Sequence, residues 1–436
     1  MKNRRNFDAI VVGAGPAGST AAMVMAQKGL NVVLIERGEY PGAKNVSGGA
    51  LYDTQLLERL YPDFYREAAV ERHISRRILG MMSPDHLLTM DFRCDHFSKA
   101  PYSGFTVLRP KLDQWLARKA VDAGVLLITD TVVDGLIKKE GMVTGVCTRC
   151  PQGELYANVV IAADGVNSLL AKQAGLQRTF RADEISLGVK EIIELDRSRI
   201  DERFQLNANE GAAYEIVGSV TKDVNGGAFL YTNGSSISIG VITQLSSLVE
   251  KREKAYEFLE CFKQHRSIRP LIRGGVVKEY SAHLIPEGGW DMFPRRYAPG
   301  LIVVGDAVGF VLVTGYYLQG MNYAMASGEA AAKTVLKASS DADYSASSLA
   351  RYETFLDEHN ILKDFKKFRR TPHFLNNERV QNVYPDMICR TAEHIFKCKG
   401  EKEKLWRQIS SVIKQSPVSW WRILRDLYEG GRAIGW

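Results

Sequence analysis

The chain has 436 residues, of which 45% are hydrophobic and 25% charged, and its six cysteines are scattered. These values exclude a disordered, collagenous or disulfide-stapled protein, leave room for two or more domains and favour a reducing compartment. The net charge is +7, and most of it comes from residues 351–436, which hold 17 Lys and Arg against 11 Asp and Glu. This basic segment lacks the signature of a nucleic-acid-binding surface, so we expect no nucleic-acid partner.

The amino-terminal segment has the order of elements found in a dinucleotide-binding unit. Residues 8–12 are apolar and β-branched, which predicts a buried parallel strand. The glycine-rich turn 13–18 follows, then a helix over 19–28, a second strand over 31–35, and Glu36 at the end of that strand. The strand before the turn and the helix after it make a nucleotide site the preferred interpretation over a simple glycine-rich loop.

Each residue of the turn has a physical reason to be there. Gly13 permits the tight turn, Gly15 lets the backbone approach a pyrophosphate, and Gly18 allows close packing of helix on strand. Free N–H groups at the start of the helix attract phosphates, and Glu36 can accept hydrogen bonds from a ribose. The predicted contacts are Gly13, Gly15, Pro16, Ala17, Gly18, Glu36 and Arg37.

Two later apolar runs predict further buried strands. Residues 159–165 end in Asp164-Gly165, and residues 301–307 contain Gly305-Asp306. A carboxylate at such a strand end can lie over a ribityl chain, although either run alone is equally explained as a strand-to-turn boundary. Together with the amino-terminal turn, the runs resemble the glutathione-reductase-type FAD fold, in whose hydroxylase-like branch an arginine placed like Arg109 contacts the FAD phosphate or ribose. No second GxGxxG follows, so no NAD(P)H domain is evident.

Two uncharged stretches, residues 9–27 and 307–328, have about the length of a membrane span. Their glycines and amide side chains fit the FAD fold better, so we expect neither a transmembrane helix nor an export signal. Gly320-Met321-Asn322 predicts the start of a helix whose amino terminus faces the flavin, where the helix dipole would stabilise the negative charge of the reduced ring.

The expected fold class is α/β and α+β, with a Rossmann-like FAD domain, an antiparallel-sheet substrate domain and a helical carboxyl-terminal region. We expect the strand near Val133 to present its backbone to adenine. Alternating apolar and polar residues after residue 183 predict a sheet that covers the flavin and shapes the substrate pocket. The expected boundaries are 1–80, 100–180 and 280–345 for the FAD domain, 183–280 for the substrate or quinone domain, and 346–436 for the helical region.

Several longer segments carry a more specific pattern, namely Gly42-Ala-Lys-Asn-Val-Ser-Gly-Gly49, Asp201-Glu-Arg-Phe-Gln-Leu206, and residues 226–232, 279–289, 305–310 and 320–331. With them the chain resembles the electron-transfer flavoprotein–quinone oxidoreductase family, and within it the FixC type. The resemblance implies an FAD that accepts electrons from an electron-transfer flavoprotein and passes them to a membrane quinone. We expect further flavin contacts from Lys44, Gly48, Gly49, Gly320, Met321 and Asn322.

The cysteines depart from the pattern of the single-chain members, which carry a four-cysteine [4Fe–4S] domain at their carboxyl end. Only Cys389 and Cys398 lie beyond residue 350 here. The FixC resemblance therefore implies a separate ferredoxin-like partner with the iron–sulfur centre, and we expect no metal site in this chain. We expect a cytoplasmic protein that associates peripherally with the inner face of the cytoplasmic membrane.

Few side chains stand out as catalytic candidates. His283 could relay a proton to reduced flavin or quinone, or could be a buried histidine with a satisfied hydrogen bond. Tyr316 and Tyr317 could line the quinone site or belong to the core. Cys147 and Cys150 form a CxxC in a predicted hairpin, where a structural role is the preferred interpretation because no helix amino terminus activates them.

The carboxyl-terminal segment mixes aromatic and basic residues. Trp420, Trp421 and Tyr428 are interspersed with Arg422 and Arg425, a pattern typical of an amphipathic helix at a membrane interface. Docking of this segment onto its own domain or a partner protein is the alternative. Two other functions also remain open at this point, an isoprenoid reductase of the geranylgeranyl type and a flavin-bearing assembly subunit without turnover of its own.

Overall fold

The computed structural model describes residues 6–45, 48–151, 153–398 and 403–435, so that Val46 and Ser47 of the 42–49 motif lie outside the described residues. The strands, labelled in chain order, are β1 (Asn6–Val12), β2 (Val32–Ile35), β3 (Gly48–Tyr52), β4 (Val70–Met82), β5 (Leu87–Arg93), β6 (Gly104–Leu108), β7 (Leu126–Ile128), β8 (Val133–Lys139), β9 (Met142–Thr148), β10 (Glu154–Ala162), β11 (Ile185–Glu194), β12 (Glu210–Gly218), β13 (Gly226–Thr232), β14 (Ser236–Gln244), β15 (Val276–Pro286), β16 (Tyr297–Ala298), β17 (Leu301–Val303), β18 (Leu312–Val313) and β19 (Leu318–Gln319). The α-helices are α1 (Pro16–Ala26), α2 (Gln55–Leu60), α3 (Arg109–Asp122), α4 (Leu169–Gln173), α5 (Arg197–Phe204), α6 (Leu245–Lys251), α7 (Ala255–Gln264), α8 (Arg269–Ile272), α9 (Met321–Asp341), α10 (Ala346–Leu349), α11 (Arg351–Glu358), α12 (Ile361–Lys367), α13 (Thr371–Leu375), α14 (Tyr384–Phe396), α15 (Leu405–Gln415) and α16 (Trp420–Gly430).

The first sheet has the order β16-β17-β10-β1-β2-β7, and its strands from β17 to β7 run parallel. Its central strands are continuous apolar runs because both faces are covered, and Ile10, Val33 and Ile161 are fully buried. Strands β8 and β9 form a meander that leads into β10. The strands that the sequence predicts for this domain are present, and their carboxyl ends meet at one edge, where ligands of such sheets bind.

Helix α1 packs against α9 at very short range. It begins at Pro16 rather than at Ser19, because proline at the first helical position has a suitable fixed φ and needs no N–H partner there. A Cβ atom at Gly328 of α9 would lie 2.2 Å from the carbonyl oxygen of Ala17. The glycine is therefore needed for the two helices to approach each other.

The second sheet is larger than the sequence indicated. Its order is β15-β11-β14-β13-β12-β4-β6-β3, with β5 paired to β4. Strands from residues 48–108 thus join those of residues 185–286 in one sheet, and the sheet is antiparallel except where β4 and β12 run parallel. The sequence analysis did not predict strand β4, because Arg72, Arg76 and Arg77 interrupt its apolar pattern.

The two faces of this second sheet have different neighbours. On one face, Tyr214 packs with Phe204 of α5 and Phe258 of α7 in a buried cluster. Because side chains alternate along a strand, Glu215 points to the opposite face, toward Tyr52 and Arg77. This opposite face is the one that the candidate site uses.

The region after residue 346 is helical, as the sequence predicts, and it is tied to the rest of the chain. Tyr352 of α11 is buried and donates a hydrogen bond to the carbonyl oxygen of Val303, at 3.2 Å. Asp426 of α16 accepts two hydrogen bonds from Arg379, at 2.6 and 2.8 Å. Within the described residues, every helix is too short or too polar to cross a bilayer.

We predict that Gly328→Ala destabilises the protein. At an exposed helical position this change stabilises by about 1 kcal/mol, but here the methyl group overlaps the carbonyl oxygen of Ala17, and overpacking costs roughly 1–3 kcal/mol. Denaturant unfolding should show a lower free energy of unfolding for Gly328→Ala. Ser340→Ala, at an exposed position of the same helix, is the control and should change little. Equal stability of the two variants would mean that α1 and α9 are not in such close contact.

Candidate functional site

The glycine-rich turn between β1 and α1 is held by close backbone contacts. Gly13 has a φ of +104°, and a Cβ atom there would lie 2.3 Å from the carbonyl oxygen of Ala163. A Cβ atom at Gly18 would lie 1.9 Å from the carbonyl oxygen of Gly13. By contrast, a Cβ atom at Gly15 would meet only the Nη2 atom of Arg109, at 3.9 Å. The turn is thus tight against the sheet and open in front of Gly15.

Glu36 and Arg109 fix the charges around this opening. The carboxylate of Glu36 accepts hydrogen bonds from the backbone N–H of Ala14, at 2.9 Å, and of Gly38, at 2.8 Å. The guanidinium of Arg109 makes two hydrogen bonds of 2.9 Å to Asp113, which leaves its remaining N–H groups free for an anion. Burial raises the pKa of Asp113, and the neighbouring Arg109 opposes this rise.

The two predicted strand-end aspartates behave differently. Asp306 lies in the 3₁₀ turn after β17, and within the described part of the chain its carboxylate has no hydrogen-bond partner. Burial raises the pKa of Asp306, and Arg109 lowers it. Asp164 instead accepts hydrogen bonds from the Ser168 hydroxyl, at 2.6 Å, and from the Leu170 N–H, at 3.2 Å, and so supports Ser168, the N-cap residue of α4.

The amino terminus of α9 lies beside the glycines of β3. Helix α9 begins at Met321 with Gly320 before it, as the sequence predicts. A Cβ atom at Gly49 would come within 3.2 Å of the Met321 side chain. Asn322 is buried and donates a hydrogen bond to Gln319, at 2.9 Å.

These features fit an FAD. The open space before Gly15, the free N–H groups of α1 and Arg109 suit a pyrophosphate, and the carboxylate of Asp306 is free to accept hydrogen bonds from hydroxyl groups. A Cβ atom at Gly165 would meet nothing within 4 Å, which leaves room at the end of β10. The remaining predicted contacts differ in exposure, with Arg37 and Lys44 exposed and Val133 half-buried.

Two basic side chains of the second sheet, Lys190 and His283, lie near Arg109. Lys190 of β11 and His283 of β15 are on the same face, because Gly188, two residues before Lys190, pairs with His283. Burial, with Arg109 nearby, lowers the pKa of Lys190 to about 7. Burial, with Lys190, Arg109 and Arg37 nearby, lowers the pKa of His283 to about 4, so the ring is neutral at physiological pH. The sequence analysis missed Lys190, since a lysine in an alternating strand usually points to solvent.

A pocket opens on the same face of the second sheet, with a cavity volume of about 190 Å³. Its walls are β12–β14, the hairpin of β18 and β19, and α13. Tyr316 and Tyr317 line it, whereas His283 does not, and a role of any of the three toward a quinone stays a prediction. Tyr316 is exposed and Tyr317 half-buried.

A guanidinium group lies among aromatic rings at the edge of the pocket, forming what we call the Arg77 corner. The guanidinium of Arg77 lies 4.4 Å from the ring centre of Tyr52 and 4.9 Å from that of Tyr317. Glu215 accepts hydrogen bonds from the Tyr52 hydroxyl, at 2.6 Å, and from Arg77, at 3.2 Å. The sequence analysis missed this corner because its members come from different strands and share no motif.

Among the described residues, no cysteine lines the pocket. Cys147 lies near the end of β9 and Cys150 in the turn that follows, as expected from the hairpin. Cys94, Cys147, Cys150, Cys261 and Cys389 are free thiols. Within the described residues, no three His, Cys, Asp or Glu side chains are arranged to hold a metal ion.

Comparison with known proteins covers nearly the whole chain. The family profile described as FAD dependent oxidoreductase matches residues 8–261, and the one described as ETF-QO/FixC family C-terminal domain matches residues 371–435. Protein FixC of Salmonella typhi is 43% identical over 93% of this chain and 95% of its own. The probable electron transfer flavoprotein-quinone oxidoreductase YdiS of Escherichia coli is 42% identical over 98% of this chain and 99% of its own.

Solved structures show the same fold at lower identity. A geranylgeranyl bacteriochlorophyll reductase-like protein from Thermoplasma acidophilum has a TM-score of 0.72 and 22% identity over 98% of this chain and 100% of that one. The flavin-dependent brominase Bmp2 has a TM-score of 0.65 and 16% identity over 94% of this chain and 99% of that one.

We predict that Gly15→Val abolishes FAD binding without unfolding the protein. The new side chain enters open space in the protein alone but occupies the place of the pyrophosphate. The ratio of FAD absorbance to protein should fall to near zero, while far-ultraviolet circular dichroism stays unchanged. Gly18→Val is the contrasting variant, because it overlaps the carbonyl oxygen of Gly13 and should impair folding itself. If Gly15→Val still binds FAD stoichiometrically, the phosphates of FAD do not lie in front of Gly15.

Proposed function

Because the chain belongs to the ETF-QO/FixC family of FAD-dependent oxidoreductases, we propose that it accepts electrons from an electron-transfer flavoprotein and passes them to a membrane quinone. The bound FAD supplies the redox chemistry, and the protein supplies binding, orientation and electrostatics. We propose that the iron–sulfur centre of this route belongs to a ferredoxin-like partner. The observation that carries the proposal is the pocket on the second sheet, whose walls combine stacked aromatic rings with a few polar groups.

The pocket walls suit a flat, weakly polar ring. Phe229 and Tyr231 are stacked with their ring centres 5.0 Å apart on the strand that forms one wall. Gly226 and Gly227 begin the same strand and leave their backbone within reach of the pocket. Aromatic faces bind a quinone ring by stacking, and a few polar groups are enough to orient its two carbonyl oxygens.

The carboxyl-terminal region connects this pocket with an apolar surface. Pro372 and Leu375 of α13 line the pocket. The ring of Phe374, also on α13, packs so closely on Gly430 of α16 that a Cβ atom there would lie 2.7 Å from it. Ile434 contacts Gly315 in the β18–β19 hairpin in the same way. A quinone held at the surface of α16 would thus be separated from the pocket by helix α13.

That surface is strongly apolar. Helix α16 exposes 82% of Trp421, 54% of Leu424 and 57% of Tyr428, which lie three and four residues apart on one face. Trp406 of α15 is exposed and stacks on Trp420, with ring centres 5.1 Å apart. The exposed apolar side chains of α14–α16 are Ile388, Ile395, Phe396, Leu405, Trp406, Trp420, Trp421, Leu424, Leu427 and Tyr428. We name them the tail face.

The chemistry of the tail face favours an anionic membrane surface. Exposed tryptophan and tyrosine prefer the membrane interface, and apolar helix faces bind in its plane. Arg422 and Arg425 flank the face, and each cation near an anionic surface contributes about 1 kcal/mol. We therefore propose peripheral association with the cytoplasmic side of the membrane that contains the quinone.

We predict that the FAD-loaded protein reduces a short-chain ubiquinone when a reduced electron-transfer flavoprotein and its ferredoxin-like partner are present. Val217→Trp should fill the pocket and suppress quinone reduction at least tenfold, since Val217 lines the pocket. Reduction of ferricyanide, a soluble acceptor that needs no pocket, should persist. Val249→Trp, at an exposed site elsewhere, is the matched control. Quinone reduction by Val217→Trp at the control rate would contradict the pocket assignment.

We predict that the tail face binds anionic vesicles. Truncation after Ser416 would remove Asp426, which pairs with Arg379, so point substitutions are the cleaner test. Trp421→Ser combined with Leu424→Ser removes two apolar contacts, each worth roughly 1.5–3 kcal/mol when buried. Co-sedimentation should show at least a tenfold lower affinity at high and at low salt.

The control for this experiment is Val276→Ser combined with Val277→Ser, two exposed apolar residues of β15 outside the tail face. These changes should leave vesicle binding unaltered. Replacing Arg422 and Arg425 by glutamine should weaken binding only at low salt, because salt screens charges but does not affect apolar contacts. If all variants bind anionic vesicles equally, the membrane proposal is wrong and the tail face is a surface for docking a protein instead.

A further inference from the structure

Glu287 lies in the pocket wall directly after β15. Its backbone N–H donates a hydrogen bond to the carbonyl oxygen of Glu184, at 2.8 Å, which fixes its position. Its Oε2 atom accepts a hydrogen bond from the hydroxyl of Ser186 on β11. Its Oε1 atom is buried and has no hydrogen-bond partner in the described part of the chain. The pocket therefore contains a carboxyl oxygen whose hydrogen-bonding capacity is unused.

The other acidic side chains of the pocket differ from Glu287. Asp183 pairs with Arg181, at 2.9 Å, and Glu215 pairs with Arg77, at 3.2 Å. Among the described residues that line the pocket, Glu287 is the acid without a cationic partner. A buried carboxylate without a cation is costly, so such a group tends to hold a proton.

The surroundings of Glu287 support a protonated carboxyl group. Burial raises the pKa of Glu287 to about 7, and the hydrogen bond from Ser186 opposes this rise. Around neutral pH the carboxyl group of Glu287 is therefore partly protonated, which is the condition for efficient general acid catalysis. The charged and polar groups on the elements packed around it are Asp183, Glu184, Ser186, Gln244 and His373, and Glu184 is itself paired with Arg178.

We propose that Glu287 is the catalytic acid that protonates a carbonyl oxygen of the quinone in this pocket, and that Ser186 is its positioning residue. This inference rests on the proposed quinone reduction and adds the origin of a proton to it. Conversion of a quinone to a quinol requires two electrons and two protons. The bound FAD would supply the two electrons, Glu287 supplies one proton, and water at the pocket mouth supplies the other.

The O–H bond of the Glu287 carboxyl group breaks as an O–H bond forms on one carbonyl oxygen of the quinone. Glu287 is left as a carboxylate, with its charge stabilised by the Ser186 hydroxyl, and it regains a proton from water at the pocket mouth. Before the transfer, the same O–H group can donate a hydrogen bond to the carbonyl oxygen and orient the ring.

The experiment uses the full FAD-loaded chain and the variants Glu287→Gln, Ser186→Ala and Glu194→Gln. Glutamine has nearly the size of glutamic acid but carries no acidic proton. Glu194 is an exposed acid of β11 and serves as the control. One readout is the infrared band of protonated carboxyl groups, recorded between about pH 5 and pH 9. The other is the rate of short-chain ubiquinone reduction compared with ferricyanide reduction, with the reduced electron-transfer flavoprotein and its ferredoxin-like partner as the electron donor in both assays.

We expect the wild type and Glu194→Gln to show a carboxyl band that titrates near pH 7, and Glu287→Gln to lack it. Ser186→Ala should shift the midpoint to higher pH, because the Ser186 hydroxyl favours the charged form. Quinone reduction by Glu287→Gln should fall by about 100-fold. Ferricyanide reduction should stay unchanged, since this acceptor takes up no proton.

The outcomes separate this inference from the proposed function. If the wild type reduces ferricyanide but not quinone, the proposed function fails, and the infrared titration still reports whether Glu287 holds a proton. If the wild type reduces quinone and Glu287→Gln does so at the same rate and with the same pH profile, the acid role of Glu287 is wrong. Persistence of the titrating band in Glu287→Gln would also overturn it.

Discussion

The architecture depends on one steric constraint, the close approach of backbones around α1. Cβ atoms at Gly13, Gly18 and Gly328 would lie 2.3, 1.9 and 2.2 Å from carbonyl oxygens, distances that only glycine permits. The three contacts hold α1 between the first sheet and α9. The free N–H groups at its start are thereby fixed at the carboxyl edge of β1, β10 and β17, where phosphates bind.

The start of β3 packs tightly within the second sheet and against α9. A Cβ atom at Gly48 would lie 1.8 Å from the Ser238 hydroxyl oxygen, so β3 and β14 of the second sheet pack without a gap. One residue further, Gly49 lies against Met321 at the start of α9. The second sheet therefore turns one face toward the nucleotide-binding edge, and that face carries Lys190, His283 and the pocket. The carboxyl-terminal helices complete the pocket wall and expose the tail face beside it.

Sequence patterns revealed what depends on local chemistry. The buried parallel strands are continuous apolar runs, and the glycine turn, the start of α9 and the exposed aromatic residues of α16 follow from short motifs. The extent of the second sheet did not follow from them, because Arg72 interrupts β4 although its side chain is buried and paired with Asp201. The sequence also did not indicate that Asp164 accepts hydrogen bonds from Ser168 and Leu170 at the start of α4, and its contact with the cofactor stays a prediction. The sequence analysis did not identify the acidic residues of the pocket. The burial of Glu287, and its lack of a cationic partner, arise only when distant strands come together in the fold.

The central claim is that a quinone binds in the pocket on the second sheet and receives electrons from an FAD at the edge of the first. The most direct measurement is a structure of the FAD-loaded chain with a short-chain ubiquinone. The account predicts the quinone ring between Phe229 and Tyr317, with one carbonyl oxygen within hydrogen-bond distance of Glu287. A quinone bound outside these walls, with the pocket left to water, would contradict it.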